Sequence, residues 1–324
     1  MKRSRILIVD GLNAYYRSYI VDPSLSTNGV PIGGVKGFLK ILQKLVRETT
    51  PDRVAIIWDG PGGSLRRRQV NKGYKEGRKP IRLNRDVRNL TEDQELKNKV
   101  WQQMRLVEYL NELPISQIMI PAIEADDVIS LVTQLPTLKG WQKVIVSSDK
   151  DFFQLCDDET VLLRPIQKEV LNKNTILEKH GIHPTNFALA RAIAGDKSDN
   201  LPGVPGAGLK TVAKRLPFLS EEKSYTIDEV IDFCKNTESS LKAFKSIVES
   251  EDIVKENYQI MQLYSPSMSP QAKRQVKTAI NDLEPELNKT GVIKMMHEDG
   301  FGSYDWSDLF SAMKRIVSFP VDKS

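Results

Sequence analysis

Nine acidic residues stand at places from which a fold could bring their side chains together. Two of them each follow a short apolar run, IEADDV places three at the predicted first turn of a helix, and GDKSDN places two at a spacing that makes neighbours on a helical turn. The two acids of SSDKDFFQL are two residues apart, so in an extended segment their side chains would share one face. The nine are Asp10, Asp59, Glu124, Asp126, Asp127, Asp149, Asp151, Asp196 and Asp199.

Such a set suits the binding of hard divalent cations. A single strand-end aspartate is usually a turn residue or a helix cap, and acids in a first helical turn are favoured by the helix dipole. These roles do not explain several acids that lie close together. Each like-charge pair at about 4 Å costs about 4 kcal/mol at an effective dielectric of 20, so a folded protein would need cations to offset the repulsion. Oxygen ligands with few His or Cys favour Mg²⁺ or Mn²⁺ over zinc. Two such ions are a standard arrangement for phosphodiester hydrolysis.

Two competing acidic motifs fail on individual residues. A haloacid-dehalogenase-like phosphatase needs a second aspartate two positions after the strand-end one, but that position is Leu12. A calcium-binding EF-hand loop beginning at Asp149 would need an oxygen ligand and then a glycine where Phe153 and Gln154 stand.

The stretch GDKSDNLPGVPGAGLKT (195–211) resembles a nucleotide-binding P-loop without matching it. After the second glycine of the pattern comes Leu209, so the Lys-Thr pair arrives one place late, and no strand directly precedes the loop. The stretch is better divided into two acids of the metal site and a hairpin between two helices, whose glycines let backbone N–H groups approach a duplex phosphate. The candidate contacts in this hairpin are Gly203, Gly206, Gly208, Lys210 and Thr211.

Positive charge is concentrated in a basic stretch, SLRRRQVNKGYKEGRKP (64–80), which contains none of these nine acids. From Ser64 to Arg88 there are ten Lys or Arg residues against two acids. A solvated loop is one explanation; a nucleic-acid contact is the other, because a tyrosine ring among the cations offers a surface for base stacking. An arginine here could engage phosphate with two hydrogen bonds and a lysine as a point charge, both stabilising transition-state charge. The candidates are Arg66, Arg67, Lys72, Tyr74, Lys75 and Arg78.

The elements that must position these residues follow an α/β pattern. Ile6–Val9, Val54–Trp58 and Val144–Val146 read as strands buried on both faces of a mostly parallel central sheet. The spacing from Val35 to Val46 predicts a helix between the first two, and another helix begins near Glu124. Ligands of such sheets bind beyond the carboxyl ends of the strands, where Asp10, Asp59 and Asp149 fall.

The remaining segments are predicted to be helical or connecting. Residues 60–90 predict a mobile loop or a helix pair over the active face. After Pro217 the pattern becomes amphipathic and helical, first around Ile227–Phe233 and then around Leu241–Val248, and SPSMSP (265–270) predicts a turn before a final helical segment.

Composition narrows the class of protein. The 324 residues carry a net charge of +5, which is compatible with a nucleic-acid partner. Two distant cysteines and three histidines predict a reducing cytoplasm, without a disulfide framework or zinc cluster. No apolar run approaches the roughly 20 residues that cross a bilayer. In MKRSRILIVDG the apolar run stops after four residues, which favours a first strand over a signal peptide.

In combination the motifs resemble those of the 5′-nucleases. ILIVDG, WDG, YKEGR, IEADDV, SSDKDFFQL and GDKSDNLPGVPGAGLKT occur in the order seen in that family, over roughly residues 5–217. The family includes flap endonucleases, the N-terminal nuclease domain of bacterial DNA polymerase I, and phage enzymes. The C-terminal third, with KENYQIMQLY, is similar to that of the T-even phage RNase H, a 5′-nuclease of primer removal.

The resemblance implies a fold, an activity and roles for residues. The fold would have a PIN-like catalytic core at 1–180 with a basic arch at about 62–112, and a helical region at 181–324 with a helix–hairpin–helix-like motif at about 186–217. The activity implied is that of a Mg²⁺-dependent 5′-3′ exonuclease or flap endonuclease that cuts near the 5′ ends of branched, nicked or RNA-primed duplexes during DNA replication or repair. The nine acids would hold two Mg²⁺ ions, with Mn²⁺ able to substitute, and Asp151, Asp196 and Asp199 would lie nearer the second ion. Lys75 and Arg78 match the family's catalytic cations on the arch. Three consecutive arginines, 66–68, leave open which one stands at the base of the arch.

The resemblance also suggests partners. From the family we expect that K⁺ can bind at the helical hairpin and that a replication single-strand-binding protein or a sliding clamp is a partner. We also expect a monomer in the cytoplasm, which would be the host's cytoplasm if the protein is phage-encoded. A PIN-like single-strand ribonuclease is the alternative within enzymes, although its minimal core needs neither hairpin nor arch. A catalytically inactive structure-specific DNA-binding protein is the alternative outside them, and loss of a core acid would be its mark; no core acid is missing.

Overall fold

A six-stranded sheet forms the centre of the molecule. The computed structural model describes residues 3–84, 87, 90–237, 242–282 and 284–318. The strands are β1 (Arg5–Asp10), β2 (Arg53–Trp58), β3 (Ser116–Met119), β4 (Gln142–Val146), β5 (Thr160–Arg164) and β6 (Glu169–Leu171). They lie in the order β3-β2-β1-β4-β5-β6; the first five are parallel, and β6 pairs antiparallel with β5.

The predicted mostly parallel sheet is confirmed, and so are its three predicted strands. Along β1, Ile6 and Ile8 face one apolar core while Leu7 and Val9 face the other, which explains the continuous apolar run. Three strands were not predicted, because β3, β5 and β6 are short or mix polar residues into the run. The order of strands reverses direction between β1 and β4, so their carboxyl ends flank the crevice where such sheets bind ligands.

Helices cover both faces of the sheet. Those in the described residues are α1 (Gly11–Val21), α2 (Gly33–Thr49), α3 (Leu65–Val70), α4 (Glu92–Asn111), α5 (Ala125–Thr133), α6 (Lys173–His180), α7 (Phe187–Ala194), α8 (Leu209–Arg215), α9 (Ile227–Asn236), α10 (Lys242–Glu249), α11 (Glu251–Met261), α12 (Pro270–Asn281), α13 (Lys289–Glu298) and α14 (Trp306–Val317). Helix α2 buries the stripe predicted from its spacing, and α5 begins directly after Glu124, as expected.

Each face of the sheet has one apolar core. One core joins the sheet to α5, α7 and α9–α12, and the other joins it to α1, α2, α4, α13 and α14. Both cores draw side chains from before and after residue 181. The division into regions at 1–180 and 181–324 stays a prediction.

The segment from 60 to 90 differs from what was predicted. Its described residues form one short helix, α3, followed by turns, rather than a helix pair. The reason lies in composition: Gly62 and Gly63 precede α3, and Gly73, Gly77 and Pro80 follow it, so the chain after the helix is divided into turns. Residues 85, 86, 88 and 89 of the predicted arch lie outside the described residues. The segment does lie over the acidic residues, as expected.

The C-terminal third is helical, as its amphipathic pattern predicted. Helices α9 and α10 bury Val230, Ile231, Phe244 and Ile247; Leu241 lies outside the described residues. The SPSMSP segment connects α11 to α12, which begins at Pro270, and α13 and α14 follow it. No helix in the described part of the chain is both long and apolar enough to cross a membrane.

Candidate active site

The carboxyl ends of β1 and β4 are joined by side-chain hydrogen bonds. Asp10 caps α1, accepting from the Asn13 backbone N–H at 3.1 Å, and its second oxygen accepts from Ser147 Oγ at 2.9 Å. Ser147 Oγ in turn accepts from the Asp149 backbone N–H at 3.1 Å. The aspartates at the ends of the two strands are therefore held beside each other by a shared hydroxyl group.

Strand β2 and helix α5 bring the next acids to the same edge. Asp59 accepts from the backbone N–H of Ala125 at 2.7 Å, so it caps a helix as well as ending a strand. This contact places the first turn of α5, with Glu124, Asp126 and Asp127, next to the strand end. Asp59 therefore has the ordinary capping role of a strand-end aspartate and also lies beside other acids.

The basic stretch folds directly onto Glu124. The buried Glu124 carboxylate accepts from Arg67, from Lys75 Nζ at 2.7 Å and from Tyr74 Oη at 3.2 Å. Arg67 also reaches Asp127 at 3.1 Å. Of the three consecutive arginines, Arg67 is the one that contacts the acids; its two neighbours are exposed.

Tyr74 does not have the role predicted for it. Only 3% of the residue is exposed, and its ring packs against Leu201, Ile260 and Met261. The ring is therefore not available for base stacking in this structure. Its hydroxyl group orients Glu124 instead, while Lys75 Nζ lies 4.9 Å from the ring centroid. A tyrosine among cations looked accessible because sequence alone does not show the apolar surface beneath it.

A second contact holds the basic stretch to the turn that carries Asp199. Arg78 donates to the Asp199 carboxylate, and the Lys75 backbone N–H donates to the Asp199 carbonyl at 2.9 Å. Asn200 Nδ2 donates to the Gly73 carbonyl at 3.0 Å. Both candidate catalytic cations thus lie at the acidic site, one on Glu124 and the other on Asp199.

Arg191, whose side chain is 12% exposed, was not identified from the sequence. It lies on α7 and donates to Asp151 Oδ1 from Nε at 3.1 Å and from Nη2 at 3.0 Å, and it also pairs with Asp196. One signal was present: Arg191 is the only charged residue in FALARAIA, the sequence of α7. The structure also corrects the geometry predicted for Asp149 and Asp151, since Asp151 begins a short 3₁₀ turn rather than continuing an extended segment.

The pKa values reflect burial and mutual repulsion. Burial raises the pKa of Asp10 to about 7, with the charges of Asp59 and Asp149 adding to the rise and two hydrogen-bond donors offsetting part of it. Burial and Asp149 likewise raise the pKa of Asp151 to about 7, against the lowering effect of Arg191. Burial raises the pKa of Asp126 well above its usual value.

Glu124 shows the opposite balance. Burial acts to raise its pKa, but the adjacent Arg67 and Lys75 lower it below the usual value. The acidic site thus combines carboxyl groups that resist ionisation with one that stays ionised beside its cations. In the described part of the chain no three carboxylate, imidazole or thiol groups are close enough to hold one metal ion as they are placed.

The hairpin between α7 and α8 contains two kinds of glycine, one packed against backbone and the others at the surface. A Cβ atom on Gly203 would lie 2.0 Å from the Ala194 carbonyl oxygen, so this glycine permits the close approach of two backbone segments. Gly206 and Gly208 instead face open space. Lys210 is exposed beside them, and Thr211 donates its backbone N–H to the Gly208 carbonyl at 2.7 Å.

The remaining predicted nucleic-acid contacts flank the site. Arg66 is exposed and donates to the Ser267 carbonyl, and Lys72 is exposed on the turn after α3. Their predicted contact with nucleic acid stays a prediction.

Comparison with known proteins identifies the family. Residues 5–181 match the family model described as the 5′-3′ exonuclease, N-terminal resolvase-like domain. The chain belongs to the 5′-3′ exonuclease family. It is 34% identical over 226 residues to a 5′-3′ exonuclease of Buchnera aphidicola, covering 69% of this chain and 73% of that one.

Two further relatives extend the comparison. The chain is 34% identical over 216 residues to the thermostable DNA polymerase I of Thermus aquaticus, but it spans 24% of that protein's length. The T5 5′-exonuclease, solved with divalent zinc ions, shares the fold with a TM-score of 0.64 at 18% identity, covering 91% of this chain and 98% of that one. The predicted membership of the 5′-nuclease family is confirmed; the similarity to the T-even phage RNase H stays a prediction.

Proposed function

We propose that this chain is a divalent-metal-dependent 5′-nuclease, a 5′-3′ exonuclease or flap endonuclease. Its substrates would be branched, nicked or RNA-primed duplexes, cut near the 5′ end to leave 5′-phosphates. The observation that carries the proposal is the folding of the basic stretch onto the acidic edge of the sheet, where Lys75 contacts Glu124 and Arg78 contacts Asp199. A phosphate brought to this edge would meet cations and carboxylates together.

The donor set fits two Mg²⁺ ions by its chemistry. All candidate ligands are carboxylates, and burial together with neighbouring acids raises the pKa of Asp10 and of Asp151, so a bound cation would favour their ionised forms. The carboxylates would have to turn away from their present cationic partners to close around an ion. When bound, the ions would activate a water molecule and stabilise the oxyanions of the reacting phosphate. Mn²⁺ is expected to substitute.

The chain's own residues would bind and orient the phosphate. Lys75 forms an ion pair with Glu124, and the half-exposed Arg78 forms one with Asp199. Both side chains could exchange the carboxylate for a phosphate with little movement of the backbone. Ser147 and Asn13 would keep Asp10 oriented, and Ala125 would keep Asp59 oriented. Once the phosphate is bound, cations and carboxylates held in this way would stabilise developing charge without further reorganisation.

The hairpin would hold the duplex away from the cut. No other atom lies within 4 Å of where a Cβ atom would stand on Gly206 or Gly208, so backbone N–H groups there could approach a phosphate. The exposed Lys210 would add positive charge. K⁺ at this hairpin and docking of a single-strand-binding protein or sliding clamp belong to the same proposal as predictions from the family.

Two other functions remain testable alternatives. A PIN-like single-strand ribonuclease would need neither the hairpin nor the basic stretch, yet the chain has the glycine-containing hairpin, and its basic stretch packs against the acidic site. An inactive DNA-binding protein would be marked by a lost acid, and all nine acids are present.

Replacement of Asp149 tests the proposed function. Asp149→Asn keeps the size of the side chain but removes a charge beside Asp10 and Asp126, so cleavage of a flapped duplex is expected to stop while duplex binding persists. Cleavage and binding would be measured on the same labelled duplex. The control is Asp158→Asn, whose exposed side chain pairs with Lys173 away from the site and should leave both unchanged. Unchanged turnover in Asp149→Asn would contradict the assignment.

A further inference from the structure

Helix α12 carries positive charge that no acid of its own balances. Its sequence, PQAKRQVKTAIN, contains three cations and neither Asp nor Glu. The three, Lys273, Arg274 and Lys277, are exposed, and none of them has an ion-pair partner among the described residues. Their spacing of three and four residues places them on one face, while Val276 and Ile280 are buried on another. We call these three cations the α12 row.

A solvated helix face is the ordinary explanation of such a row, and it predicts acids nearby. Helices α2, α4, α10, α11 and α13 each pair a lysine with an acid four residues away, as Lys255 pairs with Glu251. Helix α12 contains no acid for such a pair. Lys273 and Arg274 also follow its first turn directly, where the positive end of the helix dipole disfavours cations. An anionic ligand would account for cations placed where the fold does not favour them.

The start of α12 is connected to the acidic site. Arg66 of the basic stretch donates to the Ser267 carbonyl, three residues before α12 begins. One cleft is lined by both Asp127 and Ser267. The far end of α12 lies at the beginning of β3, where Ser116 Oγ donates to the Ala279 carbonyl at 2.9 Å. The α12 row therefore starts near the edge of the sheet where the acids lie and leads away from it.

The basic stretch has a different contact on each side of the site. Its later part is held to the hairpin, since Arg78 donates to Asp199 and Asn200 donates to the Gly73 carbonyl. Its earlier part is held to the segment before α12 through Arg66. Under the proposed function the hairpin holds the duplex, so the other side receives the strand that the cut releases. That strand is the displaced 5′ single strand.

We propose that the α12 row binds the displaced 5′ single strand of a flapped duplex after this strand has passed the acidic site. Its lysines and arginine would form ion pairs with backbone phosphates, which carry no information about base sequence. The row would hold long flaps more tightly than short ones without touching the reacting phosphate. This inference deepens the proposed function and rests on it, because it presumes a substrate with a free 5′ strand.

The experiment compares two duplexes that differ only in flap length, one with a single-nucleotide flap and one with a flap of about 20 nucleotides. Their binding is measured by fluorescence anisotropy in EDTA at several salt concentrations. The variant carries Lys273→Gln, Arg274→Gln and Lys277→Gln together.

The variant should bind the long flap about tenfold or more weakly, and the slope of log Kd against log salt should fall by about two, as expected for three lost contacts to a single strand. Its affinity for the single-nucleotide flap should stay within about twofold. Unchanged binding of the long flap would overturn the inference. An equal loss for both substrates would show a contact with the duplex and would overturn it too.

A matched control removes as many charges from the other face of the sheet. Lys289, Lys294 and Lys314 are exposed on α13 and α14, which belong to the apolar core opposite that of α12. Their combined replacement by glutamine should leave both affinities unchanged. A loss equal to that of the α12 variant would show a general charge effect and would overturn the inference.

A measurement on the wild type covers the case in which the α12 variant does not fold. A photoreactive base, placed at one position at a time along the long flap and the duplex, should cross-link to the α12 peptide from flap positions only. Cross-links to α12 from duplex positions, or none from the flap, would overturn the inference. A wild type that cuts neither substrate with Mg²⁺ would instead contradict the proposed function, and the inference would fall with it.

Discussion

At the scale of single residues, neighbouring carboxyl groups of one site behave differently. Asp10 and Asp151 have raised pKa values because they are buried near other acids, whereas Glu124 has a lowered one because two cations contact it. Their residue types and spacing were sufficient to predict that the acids gather. The sequence offered one signal for Arg191, the only charged residue of α7, but the contacts of Arg191 and Ser147 with these acids form only through tertiary packing and were not predictable.

The raised pKa of Asp10 predicts how the stability of the metal-free protein depends on pH. The folded pKa of about 7 lies above the unfolded one, so the folded state keeps a proton that the unfolded state releases. The stability that Asp10 contributes is complete below about pH 4 and is lost as the pH rises to about 7. Asp10→Asn, which can still cap α1, does not titrate.

The measurement is urea unfolding of both proteins in EDTA from pH 5 to pH 9. The free energy of unfolding of the wild type, minus that of Asp10→Asn, should fall by up to about 1.4 kcal/mol per pH unit between pH 5 and pH 7 and then level off. The control is Asp196→Asn: Ser198 and Arg191 lower the pKa of Asp196 against the effect of burial, so its contribution is lost only on acidification below this range. A flat or rising difference for Asp10→Asn would contradict the environment described for Asp10.

At the scale of elements, two connecting segments complete the site. The basic stretch was predicted from charge to lie over the acids, and it does so through Arg67, Lys75 and Arg78. Its internal structure was not predictable, since its one short helix owes its position to contacts with α11 and with Glu124. The hairpin was predicted from its glycines, but the sequence does not distinguish a glycine that packs from one that faces solvent.

That distinction predicts different effects on the free energy of unfolding when the same substitution is made at two glycines. Gly203→Ser would push a side chain into the Ala194 and Gly195 backbone, and such overpacking costs about 1–3 kcal/mol in the free energy of unfolding. Gly208→Ser meets open space at an ordinary backbone angle and supplies a good N-cap for α8, so stability should change by less than about 0.5 kcal/mol. Urea unfolding of the two variants measures both. Equal losses would show that the hairpin is not packed as described.

At the scale of the whole molecule, the sheet brings distant parts of the sequence to one edge. Asp10 ends β1, and Asp59 and Asp149 follow β2 and β4. These strands are neighbours in the sheet, and the convergence of the three acids was predictable from apolar runs that end at or close to an aspartate. The order of strands and the antiparallel β6 were not, because they depend on packing between segments far apart in the chain. The two cores, each containing residues from both ends of the chain, likewise leave no local signal in the sequence.

The central claim is that this molecule cuts nucleic acid at 5′ ends of branched duplexes and needs a divalent ion to do so. The most direct test is the product-length distribution from a 5′-labelled flapped duplex and from plain single-stranded RNA, each with Mg²⁺ and with EDTA. The account predicts Mg²⁺-dependent products ending near the flap junction, little cleavage of the RNA, and none in EDTA. Equal cleavage of both substrates, or binding of the flap without any Mg²⁺-dependent product, would contradict it.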